Sequence, residues 1–102
     1  MKITLLALIA AAGLAWAGAA QASAELAKTK NCMACHATDR KVLGPSFRDV
    51  AAKYQGQKDA EAKLTASITK GSNGAWGAMA MPPNAVSAAE AQSLAKWVMA
   101  QK

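Results

Sequence analysis

The sequence predicts a small all-α domain of about four short helices. Three observations predict it. Apolar residues recur at helical spacing, and no stretch alternates apolar with polar long enough to argue for a strand. Glycine and serine fall where helices need caps. Bulky apolar residues are too few to build a core unaided, so the helices must wrap something else.

The chain has 102 residues, one domain at most. It opens with Met1-Lys2 and then Leu5–Ala20, 16 residues without a polar side chain. Ala20-Gln21-Ala22 and Ala22-Ser23-Ala24 both fit the small-x-small pattern of a signal-peptide cleavage site. A spanning helix needs roughly 20 apolar residues, so the run is read as a cleaved leader and not a stable membrane anchor. Residues 1–24 are the expected signal peptide, cut after Ala24 or after Ala22, and 25–102 the mature domain of an exported protein. That leaves 78 residues, and losing Lys2 lowers the formal charge from +6 to +5.

The first helix is expected over about Ala24–Asn31. A second starts near Ser46, with Phe47, Val50, Ala51 and Tyr54 on one face and Gly56 placed for a left-handed cap. A third spans roughly Asp59–Lys70, with Leu64 and Ile68 one turn apart and Gly71 just beyond. Ser87-Ala88-Ala89-Glu90 matches a capping box opening the fourth, which carries Leu94, Ala95, Trp97 and Val98. Between the third and fourth lies 72–86, SNGAWGAMAMPPNAV, whose glycines and prolines argue against a regular element. A loop that long in a small domain usually serves function.

The 53% hydrophobic content is inflated by alanine and by the leader. A disulfide does not supply the missing core. The two cysteines are Cys32 and Cys35, and a bridge between them closes too small a loop to constrain the unfolded chain.

Cys32-Met33-Ala34-Cys35-His36 is a Cys-x-x-Cys-His motif, the attachment signature of c-type haem. Two thiols three positions apart reach the two vinyl groups along one porphyrin edge. The next residue then presents an imidazole to the iron. A thioredoxin-like dithiol belongs in a βαβ setting that this chain lacks, and structural zinc needs four N or S ligands. One covalently attached haem c fills the core and explains the alanine, since small residues let helices approach a macrocycle closely.

His36 is the only histidine, so the sixth ligand must be methionine, lysine or an open position. Met33 lies inside the motif and points away if His36 points in. Met99 belongs to the last helix, where it packs or is exposed. Met81 precedes Pro82-Pro83, and a residue before proline is held extended. It is favoured as distal ligand, with Met79 the rival on the same face of an extended arm.

Over essentially all of its mature length the chain resembles the small bacterial class I cytochromes c of the c-551/c-552 family. The matching stretches are NCMACH, VLGPSFRDVAAKY, GSNGAWG, MPPNAVS and EAQSLAKWV. The resemblance implies the class I cytochrome c fold, thioether bonds at Cys32 and Cys35, and iron ligation by His36 and Met81. It also implies that the Pro45 carbonyl accepts the proximal imidazole N–H, that the Trp76 indole donates to a haem propionate, and that the Asn84 amide bonds the ligand sulfur or its loop. Gly77-Ala78-Met79-Ala80-Met81 lacks the prolines that relatives often carry there. A looser ligand loop follows, with easier sulfur dissociation and substitution by Met79. Ser67 stands where some relatives carry a propionate-holding arginine.

An iron held from both sides has no position for substrate yet still changes oxidation state, which describes an electron carrier and not an enzyme. His/Met ligation and an apolar site imply a positive potential. The alternative is a CO- or NO-binding sensor, should the methionine be labile. Peroxidase chemistry lacks a second histidine, and surface positions account for Arg40 and Arg48. The positive charge suggests transient docking on acidic patches of redox partners, and unclustered basic residues speak against nucleic acid. The resemblance implies a monomer in the periplasm, working between a quinol–cytochrome c oxidoreductase and a nitrite reductase, cytochrome c peroxidase or terminal oxidase.

Overall fold

The computed structural model describes residue 18 and residues 20–102. Most of the expected leader lies outside the described residues. Helix α1 covers residues 20–29 of the described chain, reaching N-terminal of the expected Ala24 through Ala20 and Ala22, which are strong helix formers. It stops at Asn31, whose left-handed φ of 62° is tolerated by asparagine better than by most side chains. One 3₁₀ turn, Cys32–Ala34, follows directly.

Helix α2 is Phe47–Tyr54, capped by the Ser46 hydroxyl, which accepts the Asp49 N–H at 3.1 Å. Gly56 beyond its end is left-handed at φ 82°. Helix α3 is Ala60–Lys70, with Gly71 leaving at φ 84°. Helix α4, Ala88–Met99, opens with both halves of the expected capping box. Glu90 N–H donates to Ser87 Oγ at 3.1 Å, and Ser87 N–H donates to Glu90 Oε1 at 2.8 Å.

The segment expected to be irregular holds a small antiparallel hairpin, β1 (Ser72–Gly74) and β2 (Gly77–Met81). Ser72 lies opposite Met81 and Gly74 opposite Gly77. Ala75-Trp76 forms the two-residue turn, and Gly74 and Gly77 supply the positive φ of 78° and 111° around it. The flanking glycines therefore make the turn and do not forbid the strands. Between the two paired positions β2 carries two more residues than β1, a bulge centred on Met79.

Helix α4 packs on α2 and α3. Phe47, Val50, Leu64, Ala95 and Val98 form the buried cluster, with Tyr54, Ile68, Trp97 and Met99 packed around it. Ala27, Ala91 and Ala95 have no exposed surface, as close backbone approach requires. Lys30 Nζ, 3.7 Å from Glu90 Oε2, ties the end of α1 to the first turn of α4. Among the described residues no large side chain is buried to below 2% exposure; the apolar interior is arranged around a cavity. No described helix is long and apolar enough to cross a membrane.

Candidate haem site

The motif segment is fixed by its own backbone. Ala34 N–H donates to Asn31 O at 3.1 Å, and Cys35 and His36 N–H both donate to Cys32 O at 3.2 and 3.0 Å. Cys32, Cys35 and His36 thus project from one tight turn, both cysteines half-buried and not bridged to each other. Burial pushes the Cys32 thiol up, outweighing the backbone hydrogen bond that lowers it, and the neighbouring Cys35 adds to the rise. Among the described residues no three His, Cys, Asp or Glu converge on a metal position.

The loop after the motif folds back onto it. Gly44 N–H donates to Cys35 O at 2.7 Å, and His36 forms an isolated bridge with Lys41. Pro45, with no N–H of its own, turns its carbonyl to His36 Nδ1 at 2.7 Å. A carbonyl only accepts, so Nδ1 is the donor of this bond, and in the neutral ring Nε2 is the nitrogen that carries the lone pair. The imidazole also stacks on Phe47, centroids 5.1 Å apart and planes 24° apart. Phe47 in turn meets Trp97 edge to face at 5.2 Å. On its other flank the ring lies against Gly44, where a Cβ would stand 2.6 Å from Cε1.

Cys32, Cys35, His36 and Pro45 line one cavity of about 650 Å³ together with Met79, Met81, Trp76 and Asn84. That volume falls within the roughly 300–1,000 Å³ typical of cofactor sites. Phe47, Val50, Leu64, Leu94 and Val98 supply apolar walls. Met81 is half-buried, whereas Met79 is 66% exposed. Met33 is absent from the walls and 40% exposed, as its place in the motif led one to expect. Arg40 and Arg48 are exposed and also away from the walls.

The end of β2 is anchored on its far side. Asn84 sends both its backbone N–H and its Nδ2–H to Ile68 O, each at 3.0 Å, with Nδ2 3.4 Å from Pro82 O. The Asn84 amide therefore holds the loop to α3. Gly71 lets the Met81 carbonyl approach; a Cβ there would lie 2.6 Å from that oxygen. At the cavity rim Lys53 Nζ stands 4.4 Å from the Trp76 ring centroid and donates to Ala75 O at 2.6 Å.

Two thiols on one turn, an imidazole with a free Nε2, thioethers on β2 and apolar walls suit a haem. Sequence reasoning did not single out Gly44 or Lys53. Gly-Pro directly before a helix cap was a usable sign for the first; the second, 22 residues from its Ala75 partner, had none.

A family model described as cytochrome c matches residues 20–102. The chain is 54% identical to cytochrome c-551 of Pseudomonas aeruginosa, covering 96% of this chain and 95% of that protein. It is 48% identical to cytochrome c-552 of Nitrosomonas europaea, covering both in full. The crystal structure of wild-type Nitrosomonas europaea cytochrome c552 matches with a TM-score of 0.75 at 49% identity, covering 78% of this chain and 99% of its own.

Proposed function

The chain belongs to the cytochrome c family, has its class I fold and carries covalently attached haem c; from that premise we propose that it shuttles single electrons through a His/Met-ligated iron in the periplasm. The observation that carries the reading is the shared cavity, which brings the Cys32–His36 turn and the methionine strand to one space. Bound there, the haem supplies a one-electron iron couple.

Cys32 and Cys35 hold it by thioether bonds. His36 gives Nε2 to the proximal side, its ring fixed by the Pro45 carbonyl, Phe47 and Gly44. Met81, half-buried and anchored beyond by Asn84, gives the distal sulfur. With both axial positions held by the chain, substrate has no place to bind, and the protein turns nothing over. Neutral donors and apolar walls disfavour the extra positive charge of the ferric state, so a positive midpoint potential is expected. Trp76 offers an indole N–H at the rim for a propionate.

Leu43, Trp76 and Met79, all at least 40% exposed, lie at the cavity and make its mouth apolar. Lys41 is the only lysine in the cavity lining, with Lys53 over Trp76 beside it. The net positive charge is thus spread over the described surface, and it steers docking to acidic partners as a whole. A quinol–cytochrome c oxidoreductase upstream and a nitrite reductase, cytochrome c peroxidase or terminal oxidase downstream fit this reading. Residues 1–24 serve as the export leader; support comes from the family model starting at residue 20 and the solved relative matching only 78% of this chain.

An optical redox titration of the purified holoprotein tests the whole reading. A low-spin, methionine-ligated spectrum with a positive midpoint potential is expected, and Met79→Ala should leave it unchanged. Rapid stoichiometric CO binding by the reduced protein at neutral pH would instead establish a ligand sensor.

A further inference from the structure

The hairpin that carries the methionines is irregular in an informative way. Gly74 pairs with Gly77, and the next pair is Ser72 with Met81. A regular antiparallel ladder that keeps Gly74 opposite Gly77 would place Met79, not Met81, opposite Ser72. The turn itself need not change between these two arrangements. Only the two surplus residues move, from before Met81 to after Met79.

We propose that β2 has this second register available and that Met79 is a reserve axial ligand for the haem iron. The proposal rests on the assignment of Met81 as the ligand in the main register. A shift of one residue would turn every side chain to the opposite face, but a shift of two keeps the face. Met79 and Met81 already line the same cavity. The shift carries Met79 along the strand by about 6.6 Å, two residues of rise. Ala78 and Ala80 have ordinary backbone N–H groups and small side chains, so nothing in the bulge blocks the regular ladder. Met79 is 66% exposed and gives up little packing when it moves.

The same structure explains why Met81 holds the site. Its carbonyl fits against Gly71, Pro82-Pro83 stiffens the chain beyond it, and Asn84 is bonded twice to Ile68 O. These anchors act only from the C-terminal side of Met81. Residues 78–80, on its N-terminal side, are all exposed. Exchange breaks one sulfur–iron bond and makes another; both donors are neutral thioethers, so neither protons nor electrons are gained or lost.

The test compares four purified holoproteins, Met79→Ala, Met81→Ala, Met81→Leu and Met79→Ala/Met81→Ala, with the parent. Met81→Leu keeps the side-chain volume should the alanine variant fail to mature. The readouts are the near-infrared sulfur-to-iron band of the oxidised protein and the upfield-shifted methionine methyl resonance of the reduced one. Met79→Ala should keep a methionine signal, since Met81 remains. Met81→Ala and Met81→Leu should each retain a methionine signal at an altered position, and the double variant should lose it. Single Met81 variants that match the double variant overturn the reserve role while leaving Met81 as ligand. Loss of the signal in Met79→Ala alone overturns the Met81 assignment, and the reserve role with it.

Discussion

Gly44 is the position where one added carbon most directly tests how the proximal side is built. Its φ lies outside the left-handed region, so alanine there carries no intrinsic backbone strain. The obstacle is steric. The new Cβ would stand 2.6 Å from His36 Cε1, 3.0 Å from Nδ1 and 3.2 Å from Nε2. The imidazole cannot swing aside as a flexible chain end would, because Nδ1 is bonded to Pro45 O at 2.7 Å and the ring stacks on Phe47. Overpacking a well-packed site costs about 1–3 kcal/mol, and weakening the Nδ1 bond adds about 1 kcal/mol. A loss of roughly 2–4 kcal/mol is large against the 5–15 kcal/mol of a whole domain. At about 4–8 °C per kcal/mol for a domain this small, Gly44→Ala should lower Tm by at least ~8 °C. The assay is thermal unfolding of the holoprotein followed by tryptophan fluorescence, with the visible spectrum recorded beforehand. Gly56→Ala serves as the contrast: φ is 82° and nothing lies within 4 Å of its added Cβ, so it should cost stability without altering the spectrum. A Gly44→Ala protein that melts within 2 °C of the parent with an unchanged haem spectrum would refute the claim that the ring is wedged.

Three further outcomes follow from the contacts around the site. Asn84→Ala removes the Nδ2 bonds to Ile68 and Pro82 but keeps the backbone bond to Ile68; a loss of about 1 kcal/mol in urea unfolding and faster CO uptake by the reduced protein are expected. Lys53→Met keeps the side-chain stem but removes the cation from Trp76 and the donor to Ala75; a cost of about 0.5–1 kcal/mol and a shift in tryptophan emission should appear together. The Glu90 carboxyl lies below the ordinary value of about 4.3, chiefly because it accepts the Ser87 backbone N–H, with the Lys30 ammonium helping. A depressed folded-state pKa gives stability that is present above the unfolded value and lost as pH falls through the folded one. Tm measured below pH ~4.5 should therefore fall less steeply with acid in Glu90→Gln than in the parent.

The helical frame was legible because its signals are local. Ser46 and Ser87 cap the helices that follow them, Asp59 stands one residue before α3 without a side-chain cap bond, and Gly56 and Gly71 take the positive φ that ended two of the expected elements. The motif was legible for the same reason: Cys32, Cys35 and His36 owe their convergence to hydrogen bonds within a few residues. The hairpin was not. A strand as short as Ser72–Gly74 carries too little periodicity to be seen, and its pairing with Met81 depends on α3 and Asn84 holding the far end. The placement of Lys53 over Trp76 was hidden likewise, being a product of how α2 and the turn meet.

On the proposed ligation, that division between local and long-range contacts also separates the two sides of the iron. His36 is set by its own turn, by the adjoining Gly44-Pro45 and by Phe47 at the start of the next helix, all within 11 residues. Such contacts close short loops, cost little chain entropy and form together. Met81 is set from Gly71 and Ile68, across a hairpin with surplus length, and its hold depends on tertiary packing being complete. Local unfolding draws on the parts with fewest buried contacts, and among the ligand-bearing segments that part is β2, exposed at Gly77 through Ala80. If Cys32, Cys35, His36 and Met81 hold the haem as proposed, a carrier built this way keeps it firmly through two thioethers and the proximal imidazole, and confines its freedom to the distal sulfur.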